Sequence, residues 1–248
     1  MPKLACILRY PVKTLSAEGL ERVTLSPGHC LPGDRRYALA LAATPWDEPH
    51  WLPREQLLNR TRFPKLAQLD SRVDGGRLTI RRRGRVVLSA DLGAVHGRQV
   101  VASFFAALLA GQCFGHPRLV EYEDGFGDIP SPRLALLGSG TLEELSRLSG
   151  RELQAGDLRA NLLIDGIPPR AEQDWLGHRL RIGPCVLKVT EPMDRALLPE
   201  LVGATFGHPR TGMWAEVVTG GELCVGAEVC VEGRGGRSPL PEGDDFRF

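Results

Sequence analysis

Helical patterning is confined to the middle of this chain, and that restriction narrows the possible folds more than any other feature. Apolar residues run together from Val100 to Ala110 and recur at helical spacing in "GTLEELSRLSG", Gly140 to Gly150. On either side the pattern is different. Residues 4–42 break into "LACILRY", "LERVTL" and "RRYALALA", separated by Ser26, Pro27, Gly28, Gly33 and Asp34. Beyond residue 160, "NLLID", "RLRIG", "CVLKV" and "WAEVVTGGELCVGAEVCV" repeat that rhythm, with turns at Gly183, Pro184, Gly220 and Gly221. Strands that do not alternate with helices of crossover length argue against a parallel α/β fold. The expectation is a mainly β chain of α+β class, with two β-barrel-like modules sharing a few helices.

Local signals refine this. Thr141 followed by Glu144 reads as a capping box, with Gly150 as the stop. "GRLTIRRRGRVVLSA" reads as a hairpin, Leu78 and Ile80 facing Val86 and Leu88, with Arg81, Arg82, Arg83 and Arg85 as a solvated tip. "TPWDEPHWLP" holds three prolines and is a loop, with Trp46 and Trp51 placed to cover a flat ring. The loop "EDGFGDIPSP" marks a boundary between modules.

Composition excludes several classes. In 248 residues the formal net charge is +1, so no overall field holds a nucleic acid or an anionic membrane. The longest apolar stretch is about half of a bilayer span, and Arg9 interrupts any signal-type segment, so the expectation is a cytoplasmic protein with no membrane partner. The six cysteines are scattered without metal-ligand spacing and read as structural thiols. No G-x-S-x-G, Walker A or H-E-x-x-H motif occurs.

Three stretches join charge to an apolar strand. "RYPVKTLSAE" offers Lys13, Thr14 and Ser16; "PGDRRYAL" delivers Arg35 and Arg36 from a Gly-Asp turn; "AGDLRANLLIDG" sets Asp157, Arg159 and Asn161 at alternate positions. Each alone is ordinary surface design. Together, cations from separated turns with hydroxyl and amide donors are what a phosphate or carboxylate requires, so the partner expected is a small anionic molecule.

These same stretches carry a resemblance. "LRYPVKTLSAEGLERVTLSPGHCLPGDRRYALA" resembles the N-terminal β-barrel module that precedes MOSC domains, named after the C-terminal part of molybdenum-cofactor sulfurases. "DLRANLLIDGIPPRAEQDWLGHRLRIGPCVLKVTEP" with "GMWAEVVTGGELCVGAEVCV" is similar to the MOSC domain itself. The resemblance implies an N-terminal module over 1–120 and a MOSC barrel over 121–232; residues 233–248, rich in Gly, Pro and charge with no apolar pattern, read as a flexible tail. It also implies a pocket for the molybdenum cofactor between the modules, with Lys13, Thr14, Arg35, Arg159 and Asn161 matching the family's binding motifs. The family's loop after the strand of Val186 to Thr190 usually ends in an Arg-Cys pair whose thiolate ligates the metal; here the pair is Arg195 and Ala196.

That departure favours an enzyme without a cofactor, acting on a small anion by acid/base or electrostatic means. Asp194 is then the candidate general base, Arg195 the anion clamp, and Asp157 a second acid that reads equally well as the ion-pair partner of Arg159. Two alternatives stay open. One is a molybdenum-cofactor oxidoreductase acting on N-hydroxylated compounds with a separate electron-donor protein; the other is a non-catalytic protein that binds or carries the cofactor or a pterin.

Overall fold

The computed structural model describes residues 1–194 and 210–234. The chain is mainly β, with two α-helices among the described residues. The first half contains β1 (Lys3–Arg9), β2 (Glu18–Leu20), β3 (Arg22–Leu25), β4 (Tyr37–Ala40), β5 (Leu69–Asp74), β6 (Arg77–Arg82), β7 (Arg85–Asp91), α1 (Val95–Leu108) and β8 (Arg118–Glu121). The second contains β9 (Leu134–Gly138), α2 (Ser139–Ser149), β10 (Leu162–Asp165), β11 (His178–Ile182), β12 (Cys185–Asp194), β13 (Arg210–Thr219), β14 (Gly221–Cys224) and β15 (Val229–Arg234).

The large sheet runs in the order β15-β11-β12-β13-β9-β10-β1-β2. All neighbours are antiparallel except β9 and β10, which α2 joins as a crossover. β9 reads "LALLG" and is buried throughout, because its two faces pack on the sheet interior and on α2. The sheet curls until its ends meet. Lys3 bridges Glu228, the Leu4 N–H donates to Ala227 O at 2.9 Å, and the Val229 N–H donates to Pro2 O at 2.9 Å. β1 thus closes a ring of seven strands around Leu4, Ile7, Leu136, Leu162, Leu180 and Leu187. The boundary expected at residue 120 does not separate two sheets, since β1 and β2 belong to the same sheet as β9 to β13.

The rest of the first half has its own core. The three-stranded β5-β6-β7 sheet packs Leu78, Ile80 and Leu88 against Val101, Phe105 and Leu109. α1 is buried along one stripe, through Gly97, Val101 and Phe105, and not all round as its apolar sequence suggests. Gly97 is required there: a Cβ would lie 1.9 Å from the Asp91 carbonyl oxygen, where the helix meets the end of β7. β4 pairs with β8, which joins this core to the residues leading towards β9.

Two local expectations are corrected. α2 starts at Ser139, two residues before Thr141, so no capping box forms; the Thr141 hydroxyl instead donates to Glu172 Oε2 at 2.9 Å, and Arg170 Nε donates to the Glu144 carboxylate at 2.8 Å. Gly150 does end the helix, in the left-handed conformation that glycine adopts without strain. In the hairpin, Val86 does not share the buried face of Leu88, because the register shifts between Ile80 and Arg81 and turns Val86 outward.

Candidate functional site

Below the mouth of the ring, three segments converge on Tyr10. The first leaves β1 as Tyr10-Pro11-Val12-Lys13-Thr14 and runs beside β4, with Lys13 N–H donating to Tyr37 O at 2.7 Å. The second is the Gly33-Asp34-Arg35 turn that opens into β4. The third is Arg159-Ala160-Asn161, which enters β10. Tyr10 is fully buried, its hydroxyl donates to Ala160 O at 2.8 Å, and the guanidinium groups of Arg35 and Arg159 lie 4.8 and 4.2 Å from its ring centre.

Asp34 is the hub of this cluster. Its Oδ1 accepts the Tyr10 N–H at 2.7 Å, and its Oδ2 accepts from Arg35 Nη1 and from Asn161 Nδ2, the latter at 3.2 Å. Asn161 is fully buried; it also accepts the Ala135 N–H and donates to Leu8 O, tying β9, β1 and the turn together. Burial opposes the charge of Arg35, but Asp34 and Asp128 outweigh it and raise its pKa. Lys13 Nζ donates to Phe126 O at 2.7 Å and Gly127 O at 2.8 Å, and lies 3.4 Å from the Asp128 carboxylate. Burial pulls the Lys13 pKa down to about 8; Asp128 opposes that shift, while Arg35 and Arg159 reinforce it.

The backbone here is strained. Among the described residues five that are not glycine have positive φ, and three of them, Thr14 at 83°, Arg35 at 53° and Arg159 at 52°, belong to this cluster. For a β-branched residue such as Thr14 that conformation is a true outlier. It is held by its own hydroxyl donating to Leu58 O at 2.8 Å and by Arg60 Nε donating to its carbonyl at 2.7 Å. Gly125 presses on the same turn, where a Cβ would stand 2.4 Å from the Asp34 carbonyl oxygen.

Beside the cluster is a cavity of about 240 Å³, walled by Arg35, Cys30, Tyr122, Asp128, Arg133 and Trp214 among others. The loop expected as a module boundary forms one wall, through Gly125, Gly127 and Asp128. The Trp46 to Pro53 loop is docked outside that wall: Trp51 Nε1 donates to Gly127 O at 3.1 Å, and Trp46 packs on Phe126.

The residues proposed from sequence thus fall into three groups. Lys13, Thr14, Arg35, Arg159 and Asn161 come together. Three others are engaged elsewhere. The Ser16 hydroxyl donates to Leu69 O and ties the chain to β5; Arg36 points outward and pairs with Glu121 at 2.7 Å; the exposed Asp157 carboxylate accepts the Gln154 N–H at 2.9 Å, bracing a turn. Asp194 ends β12, with its backbone opposite Arg210, and Arg195 and Ala196 lie outside the described residues. Tyr10, Asp34 and Asp128 were not singled out from sequence. Asp34 reads as a turn former after Gly33, and the Phe126 and Gly127 carbonyls that hold Lys13 leave no trace in residue type.

A model of the MOSC domain matches residues 133–230, which hold β9 to β14 and the start of β15. Over residues 133–230 the chain is similar to the MOSC domain. Its ring is completed from outside the matched segment by β1, and the Lys13 and Asp34 sides of the cluster also come from outside it. No curated protein matches the chain in sequence. Among solved structures, YiiM from Geobacillus stearothermophilus is 22% identical over 42% of this chain, with a TM-score of 0.36. The YuaD protein from Bacillus subtilis is 12% identical over 93% of this chain and 96% of its own, with a TM-score of 0.46. YiiM from Escherichia coli is 16% identical over 41% of this chain, with a TM-score of 0.34. The chain spans 56% and 54% of the two YiiM chains. No helix among the described residues is long and apolar enough to cross a membrane.

Proposed function

We propose that this MOSC protein binds a small anionic molecule, with Lys13, Arg35 and Arg159 reading its negative group and the adjoining cavity holding the remainder. The observation that carries this reading is the collection of three cations from three separate segments, Arg35 and Arg159 over one buried ring and Lys13 near enough to feel both, on a strained backbone. Asp34 and Asp128 offset two of those charges. Burial, reinforced by Arg35 and Arg159, depresses the Lys13 pKa to about 8, and an arriving anion offsets both, so binding draws a proton onto Lys13 near pH 8.

The molybdenum cofactor is a test of fit. Its phosphate suits Lys13, Thr14, Arg35 and Arg159. Its metal, when bound, would supply oxygen-transfer redox chemistry and needs a soft ligand. Residues 195–209 contain no cysteine, Cys185 is sealed in the ring core, and the Cys30 thiol in the cavity wall is pushed up to about 11 by burial and by Asp34. The donor set therefore fits the phosphate end and not the metal end. This favours a role without molybdenum redox chemistry, either binding alone or electrostatic catalysis in which Asp194 serves as base and Arg195 as clamp.

The test is the metal and pterin content of the purified protein, by elemental mass spectrometry and pterin fluorescence, with calorimetric titration of inorganic phosphate and pyrophosphate. Expected are negligible molybdenum and anion affinity that falls about tenfold in Lys13→Met, in line with the loss of one charge-assisted contact. Stoichiometric molybdenum overturns the metal-free reading. Anion affinity that Lys13→Met leaves unchanged overturns the assignment of the cluster.

A further inference from the structure

The hairpin of β6 and β7 ends in cations that have no carboxylate partner among the described residues. Arg81, Arg83 and Arg85 are exposed and Arg82 is half-buried. Among the described residues none of the four forms an ion pair, and Arg82 Nη2 donates to the neutral Gln68 side chain at 2.8 Å. Asp70 stands across the ladder from Arg81 and offsets part of the charge, while Lys65, in the short turn leading into β5, adds to it at the same end. Six arginines elsewhere in the chain, Arg9, Arg36, Arg98, Arg133, Arg170 and Arg181, do hold carboxylates.

The same tip presents apolar surface. Ile80 pairs with Leu88 and Arg81 with Val86, which leaves Val87 as the extra residue of a bulge. Both valines therefore face outward, with 53% and 43% of their surface exposed, and the outer edge of β7 has no strand partner among the described residues. Edge strands are commonly protected by charge, but two outward valines beside four arginines do not serve that purpose alone.

We infer that this tip docks on an anionic lipid surface, with guanidinium groups at the headgroup phosphates and Val86 and Val87 at the boundary with the acyl chains. A convex tip suits a flat partner. Guanidinium groups pair bidentately with phosphate, and small exposed aliphatics add affinity only where an apolar phase is within reach. A nucleic acid shares the charge but finds no aromatic platform here for its bases, and it has no use for the valines. The chain's net charge of +1 keeps this attraction local, so the tip orients the molecule on the surface without a general positive field.

The experiment is co-sedimentation of the full chain with phosphatidylcholine vesicles, with and without phosphatidylserine, at low and high salt. Binding is expected only with phosphatidylserine, and it weakens as salt rises. Replacing Arg83 and Arg85 by Gln is expected to lower the partition coefficient about 25-fold, at about fivefold for each cation lost near the surface. Val86→Ser with Val87→Ser should weaken binding by a factor that salt leaves unchanged. Circular dichroism confirms that the surface variants keep the fold. No binding to phosphatidylserine vesicles, or binding indifferent to the arginine pair, overturns the inference. A short DNA duplex that competes the protein off the vesicles through the same arginines, and binds it more tightly, also overturns it in favour of a nucleic-acid contact.

Discussion

The interior of the ring and the cluster beside it are both largely buried, yet they are built by opposite means. Around Leu4, Leu136, Leu180 and Leu187 every side chain is apolar and the contacts carry no direction. Around Tyr10 the buried groups are Asp34, Arg35, Asn161 and Lys13, each fixed by named partners. Apolar packing tolerates exchange among side chains of similar volume, whereas a buried charge loses its only compensation when one partner changes. The polar region holds its geometry at the cost of tolerance, which is the arrangement expected where a ligand is to be read.

Four measurements break or sharpen that contrast. Asp34→Asn keeps volume but removes the carboxylate bonded to Arg35, leaving only the more distant Asp128; it is expected to cost about 3 kcal/mol of stability in denaturant unfolding. A cost near zero would erase the distinction between the two regions. Leu187→Met, the matching conservative change in the ring, is expected to cost less than about 1.5 kcal/mol in the same assay.

The third measurement is pH dependence. Folding lowers the Lys13 pKa from 10.5 to about 8, so between those values the unfolded chain holds the proton that the folded chain has released, and stability rises with pH. Below pH 8 both states are protonated and the burial penalty is fully present. Wild type should therefore gain about 1 kcal/mol relative to Lys13→Met between pH 8 and pH 9. A parallel pair of curves would place the Lys13 amine in a far wetter setting. The smallest effect is at the wall: Trp51→Phe removes one partly buried hydrogen bond to Gly127 and is expected to cost about 0.5–1 kcal/mol. A larger loss would make the docked loop part of the polar cluster and not its outer support.

Much of this was legible in the sequence, and the limits have physical causes. The strand rhythm, the two helices and the hairpin are local patterns, and local patterns survive in one dimension. Lys13, Arg35, Arg159 and Asn161 could be named together because cations and an amide donor sat beside separated turns, and the fold brings them close. Their neighbours Ser16, Arg36 and Asp157 had the same appearance but not the same fate; Arg35, in a left-handed turn, is buried, while Arg36 just before β4 points out to Glu121. Asp34 was hidden by its own suitability for a turn. The outward twist of Val86 depends on a one-residue slip that the alternation of Leu78, Ile80, Val86 and Leu88 does not record. Strand order is the least local property of all, and nothing in "KLACILR" announces that it lies between β10 and the start of β15.

That last placement bears on how the protein is made. On the ribosome Lys3–Arg9 emerges long before Leu162–Asp165 and Val229–Arg234, the segments it joins. Until they appear, Leu4 and Ile7 have no interior to enter, so the nascent ring remains an open sheet with two unpaired edges, and its completion is a late, long-range event. The half that packs α1 against β5 to β7 needs no such partner and can settle while the remainder is still being translated.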